Sequence, residues 1–177
     1  KSGEEHHFNI LDVLSILDAA FLVGETEQAS FAKAKGFSII SHLLCSLSPY
    51  NITNNLYLSF FRICNRLINE EAKKELFSQI LLNYEIWMVS SNEDQIQILK
   101  HWKNNIYPNF NEYFVQIFDF PSLLMFIRIY FWYNPTNIKE IRGSSKSSRQ
   151  RNPNLNVKEC RGILLEILAN FTSKHLT

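Results

Sequence analysis

An all-α fold is predicted by three features of this 177-residue chain. Apolar residues recur at three- and four-residue steps from Phe8 to Phe171, short polar breaks separate the runs, and no alternating segment reads as a strand. With 46% hydrophobic residues the chain can bury a core of ordinary domain size. Its 18 Lys and Arg balance 17 Asp and Glu, so no global field draws it onto nucleic acid or an anionic bilayer. An electrostatic partner must be met by a local patch.

The first helix is read over residues 8–23, with Ile10, Leu11, Leu14, Leu17 and Phe21 along one face and Gly24 as its stop. A long second helix is predicted over 26–47. Its apolar face carries Phe37, Ile40, Leu43, Leu44 and Leu47, and Gly36 is tolerated inside it where a neighbouring helix comes close. Ser48-Pro49 ends it. Asn51 or Thr53 can cap the third helix, which presents Leu56, Phe60, Ile63, Cys64 and Leu67. Residues 69–74 read as a polar junction or a bend. A fourth helix follows with Leu76, Phe77, Ile80 and Leu81, then Asn83 and a short aromatic segment in which Trp87 should be buried.

Ser91 and Asp94 have capping-box spacing, with Asp in place of the usual Glu, and start a fifth helix over 92–106 that Pro108 limits. A shorter helix over 109–118 precedes Pro121, which suits the first turn of an apolar helix from Leu123 to Tyr133. That helix carries Arg128, is too short to span a bilayer and closes at Asn134-Pro135. Residues 136–154 have no apolar period and read as a disordered loop. Asn156 with Glu159 caps a last helix over 157–174 whose Ile163, Leu164, Ile167, Leu168 and Phe171 return to the core.

Short connections favour antiparallel neighbours, each pair leaving an apolar face for the next to cover. No repeat is visible at a fixed period, and periodicity leaves a closed bundle and a solenoid equally open. The chain starts at Lys1 with neither an initiator Met nor a signal-like segment, and reads as a single domain over 1–177 cut from a longer polypeptide. Cys45, Cys64 and Cys160 are widely spaced in apolar runs and read as reduced core thiols of a cytosolic protein.

The chemistry-bearing residues form few patterns. His42, His101 and His175 lie in separate helices without a second His at four-residue spacing, so no zinc site is expected, and Asp12 and Asp18 need not share a face. The five glycines form neither a nucleophile elbow nor a phosphate-binding loop. A non-enzyme without cofactor or small-molecule substrate is expected. The aromatic run Tyr130, Phe131, Trp132 and Tyr133 has the spacing of core packing rather than of a base-stacking platform.

One surface feature stands out: Lys139, Arg142, Lys146, Arg149 and Arg151 cluster in the 136–154 loop, opposed there by Glu140 alone. Such a cluster suits anionic lipid or another acidic partner, and phosphorylation of Ser144, Ser145, Ser147 or Ser148 would weaken it. The bland alternative is a solvated insertion with no ligand.

Several sequence words occur in a recognisable order. Lys35-Gly36-Phe37 leads an apolar run to Leu44, and Ser48-Pro49 is followed by Asn51-Ile52-Thr53. Ile80-Leu81-Leu82-Asn83 precedes Trp87, and Arg128-Ile129-Tyr130-Phe131-Trp132-Tyr133 ends at Asn134-Pro135. From Phe31 onward this order resembles the armadillo-like helical region upstream of the BEACH domain in neurobeachin-type proteins. The resemblance implies an armadillo-like α-solenoid, a stack of antiparallel helices in a very large cytosolic scaffold of vesicle traffic, lysosome size or autophagy. Its expected partners are other proteins and an anionic membrane surface of endosomes or lysosomes. The alternative function is an independent helical adaptor for nucleic acid or another acidic partner, which a continuous basic groove would favour. Exposed apolar faces on the first and last helices would favour the scaffold.

Overall fold

The computed structural model describes residues 10–132 and 156–175. Among them every regular element is helical. In chain order these are α1 (Ile10–Phe21), α2 (Glu25–Lys33), α3 (Gly36–Ser46), a 3-10 turn (Pro49–Asn51), α4 (Asn54–Cys64) and α5 (Glu70–Leu76), which runs on as a π turn (Phe77–Leu81). Then come α6 (Tyr84–Trp87) and α7 (Asn92–His101), extended by a π turn (Trp102–Ile106) and a last α turn (Tyr107–Asn109). The set closes with α8 (Asn111–Ile117), α9 (Phe120–Ile127) with its π turn (Arg128–Trp132), and α10 (Val157–His175).

The helices stack in three ranks. α1 packs on α4, α4 on α7 and α7 on α10. α2 packs on α5, whose π turn packs on α8. α3 packs on α6, and Tyr84 at the start of α6 meets Phe126 and Tyr130 of α9 at 5.2 and 4.9 Å between ring centroids. Each rank therefore advances one helix every three elements, roughly every forty residues up to α9 and 65 from Asn92 to Val157, and the shorter step is the armadillo scale. The variable lengths of α2, α6 and α8 hide that period from a sequence comparison at fixed spacing.

Polar side chains align the ranks. Asn54 N–H at the start of α4 donates to Asp94 Oδ1 of α7 at 2.8 Å. Asn156 N–H, at the start of α10, donates to Asn92 Oδ1, also of α7. The starts of α4, α7 and α10 thus lie side by side, so helices of this rank run parallel, as stacked repeats require. Asp94 does not reach back to the Ser91 amide as a longer Glu would. Its Oδ2 accepts from Ser91 Oγ at 2.6 Å, and its other oxygen caps the neighbouring repeat.

The expected caps are present. Thr53, rather than Asn51, accepts from Leu56 N–H, Ser91 from Asp94 N–H and Asn156 from Glu159 N–H, and Asp119, not among those expected, accepts from Ser122 N–H. Leu56, Phe60, Ile63, Cys64 and Leu67 are buried, as are Leu76, Phe77, Ile80, Leu81 and Trp87. Two indole N–H groups close the end of α5: Trp87 donates to Ile80 O at 2.8 Å and Trp102 to Leu81 O at 3.1 Å. Those carbonyls lie at the end of the helix, where intrahelical partners run out.

The structure corrects several boundaries. The helix expected over 26–47 is two, broken at Ala34-Lys35, where Lys35 takes a left-handed conformation (φ 56°). Gly36 does mark a close approach: a Cβ there would lie 2.2 Å from Phe31 Cζ, inside the ring. Residues 69–74 are no junction. Asn69 accepts from Ala72 N–H at 3.0 Å and starts α5, so the Glu-Glu-Ala-Lys-Lys run is an acidic first turn with basic residues after it. Leu11 and Leu43, placed on core faces by spacing, are exposed, Leu43 by 57%. The fifth helix passes Pro108 by one residue after a π turn. None of the three cysteines is in a disulfide, and Cys45 is only half-buried.

Candidate functional site

The residues that the sequence nominates for contact with an acidic partner, Lys139, Arg142, Lys146, Arg149 and Arg151, lie outside the described residues, as do Ser144, Ser145, Ser147 and Ser148. The described residues bracket them, with Trp132 on one side and Asn156 on the other.

Within the described residues, an open cleft of about 470 Å³ lies where α3, α5 and α8 converge. Lys35 and Ser38 come from the start of α3, Glu71, Lys74 and Glu75 from α5, and Tyr113 and Gln116 from α8. Glu75 is buried, 8% exposed, yet has no cation on it. Its Oε1 accepts from Ser38 N–H at 3.1 Å and from Ser38 Oγ–H at 2.8 Å, which caps the otherwise uncapped N-terminus of α3. Glu75 Oε2 meets no donor. Tyr113 stacks on Phe77 at 4.6 Å and donates to Glu70 Oε2 at 2.6 Å. Burial and that carboxylate push its hydroxyl pKa well up. The cleft is mixed in charge, with Lys35 3.9 Å from Glu71. It is not the continuous basic groove that nucleic acid needs.

Other buried polar side chains tie helices together. Gln28 donates to Phe21 O at 3.0 Å and accepts from Ile68 and Asn69 N–H at 2.9 and 3.0 Å, fastening the end of α1 to the start of α5. Gln95 donates to Met88 O and Ser90 O and accepts from the Tyr84 hydroxyl. Neither glutamine was legible as a core residue. Their signal, a polar residue at a core register position of α2 or α7, is shared with any solvent-facing one.

Among the described residues no group of three or more His, Cys, Asp and Glu could hold a metal ion. His101 packs edge-on against Phe61 and Tyr57 at 4.3 and 5.3 Å, and burial lowers its pKa. Burial pushes the Cys64 thiol up to about 12, far from a nucleophile's range. Tyr130 and Phe131 are core residues, as their spacing implies, but Trp132 is 63% exposed with the Arg161 guanidinium 4.6 Å over its ring. No single helix among the described residues is long and apolar enough to cross a membrane. α8 and α9 with its π turn pass such a test only as a pair bent by 72°. The apolar side of that pair is spent on the core through Leu123, Phe126, Ile127 and Phe131.

Residues 2–177 match a family model described as the Neurobeachin/BDCP, DUF4704 alpha solenoid region. No curated protein and no solved structure matches the chain.

Proposed function

The chain belongs to the neurobeachin/BDCP alpha-solenoid family, and from that premise we propose that this helical scaffold segment serves vesicle and membrane traffic without catalysis, by holding protein and membrane contacts. The observation that carries the reading is the three-rank stack. Its buried Gln28 and Gln95 are spent on joining segments, and its apolar residues outside the core lie on outer faces. Val13 and Ile16 of α1 and Ile39 and Leu43 of α3 are exposed at one end of the ranks, Leu124 and Leu165 of α9 and α10 at the other. Outward apolar faces of this kind suit a scaffold that stacks against further surfaces.

The membrane contact in this reading is made by Lys139, Arg142, Lys146, Arg149 and Arg151 at a cytoplasmic face of endosomes or lysosomes. Each cation near an anionic surface contributes roughly 1 kcal/mol, and phosphate on Ser144, Ser145, Ser147 or Ser148 opposes it. Co-flotation with liposomes containing or lacking acidic lipid tests this, comparing the native chain with one carrying Arg142→Ser, Lys146→Ser, Arg149→Ser and Arg151→Ser. Salt-sensitive flotation lost in the variant is expected. Equal flotation of both, or of neither, removes the loop from the reading and leaves protein contacts alone.

A further inference from the structure

We infer that the joint outer face of α9 and α10 is itself a membrane-seating surface, on which Trp132 enters the headgroup layer of an anionic bilayer while Lys158 and Arg161 meet its phosphates. The inference rests on the membrane reading above but concerns different residues.

Two stripes make the face. Leu124, Arg128 and Trp132 follow one another at four-residue steps along α9 and its π turn, and all three are exposed. Lys158, Arg161 and Leu165 follow at three- and four-residue steps along α10, with Lys158 and Leu165 exposed and Arg161 half-buried. The two helices pack on each other, and Arg161 over the Trp132 ring fastens the stripes edge to edge.

Charge is sorted across α10. Its acids Glu159 and Glu166 point the other way, paired with Lys100 and Lys103 of the α7 segment at 3.3 and 2.8 Å. The stripe toward α9 keeps the cations and Leu165. Asp119, the acid nearest along α9, stands at the helix start and is held by Ser122 N–H, away from the Trp132 end. What remains is an aliphatic and indole surface rimmed by cations, which is the composition of an interfacial membrane contact. The indole sits at headgroup level, the aliphatic tips reach the acyl boundary and the cations answer anionic lipid. An acidic protein could meet the cations, but nothing in it would call for an exposed indole and leucines.

The chain supplies its own probe, because Trp87 and Trp102 are fully buried and Trp132 is the third of three tryptophans. Acrylamide-accessible emission therefore reports Trp132. With vesicles of phosphatidylcholine plus phosphatidylserine, the emission is expected to move to the blue and acrylamide quenching to fall. Brominated acyl chains should quench the emission, and phosphatidylcholine alone should leave it unchanged. Lys158→Gln and Arg161→Gln are each expected to weaken partitioning by about fivefold. Trp132→Ser with Leu165→Ser, both on exposed positions, should reduce flotation while leaving the far-ultraviolet dichroism intact. If the native chain floats through the loop cations but the Trp132 emission does not respond, the face is overturned and the membrane reading stands. If the chain does not float, both fall.

Discussion

Gly36→Ala is expected to destabilise the chain by about 1–2 kcal/mol, although alanine is the better helix former. A methyl group at this position would lie 2.2, 2.3 and 2.5 Å from Cζ, Cε1 and Cε2 of Phe31, so the ring must leave. It is held on both sides, edge-on to Phe21 at 5.1 Å and to Phe37 at 4.9 Å. Losing two edge-to-face contacts costs about 0.5–1.5 kcal/mol each. Against this, replacing a helical glycine with alanine returns roughly 0.5–1 kcal/mol. The loss exceeds the gain because Phe31, half-buried, can swing outward instead of straining the backbone, which keeps the net cost near the low end of overpacking, about 1–3 kcal/mol. Urea unfolding at unchanged slope measures it. In a Phe31→Ala background the clash is gone, and Gly36→Ala is expected to be neutral or stabilising, so the double-mutant cycle isolates the contact. A stabilised Gly36→Ala single variant would refute the reasoning: the glycine would then serve no close approach.

Gln95→Leu removes three buried hydrogen bonds at once, to Met88 O, to Ser90 O and from the Tyr84 hydroxyl, and chemical unfolding is expected to show a loss of about 2–4 kcal/mol, more than a surface glutamine of α7 would cost. His101, whose pKa burial lowers from 6.5, is protonated first in the unfolded chain, so its stabilising effect is present above pH 6.5 and is lost as pH falls toward the lowered folded value. Unfolding midpoints measured across that window should drop for the native chain and flatten for His101→Phe. Iodoacetamide at pH 8 should label half-buried Cys45 ahead of Cys64 and Cys160, with Cys64 labelled only on unfolding because burial holds its thiol near 12. Mass spectrometry of the digested protein would show a different order if the core were loose.

Helix type and core faces were legible from residues because they rest on local spacing. Leu56, Phe60, Ile63 and Cys64 repeat at helical steps, and all four are buried. The legible caps, at Thr53, Ser91 and Asn156, are equally local. What spacing does not carry is which neighbour covers a stripe. Leu43 continues the apolar pattern of α3 as well as Leu44 does, yet Leu44 is buried and Leu43 exposed. The break at Lys35 is not legible because a lysine gives no warning of a left-handed backbone, and Gly36 beside it reads as a close approach inside one long helix. The ranks were invisible for a related reason. Their register is held by Asp94 on Asn54 and Asn92 on Asn156, pairs some forty or more residues apart whose members each look like ordinary local caps.

That same distinction separates informative surface residues from uninformative ones. Inside a rank, a helix such as α4 or α7 is covered on both sides, so an apolar residue there is demanded by packing and carries no message about function. On α9 and α10 the demand is met by Leu123, Phe126, Ile163 and Ile167, which are buried. Trp132 does not join them: among the described residues the core of this segment ends at Phe131, and an exposed indole adds solubility cost without adding cohesion. Arg161 over the ring shields one face of it, not the edge. The acids of α10 are already engaged with Lys100 and Lys103. The exposed indole therefore coincides with Lys158 and Arg161 on one face, and that coincidence, rather than any buried chemistry, is where this solenoid differs from a stack that merely holds its own shape.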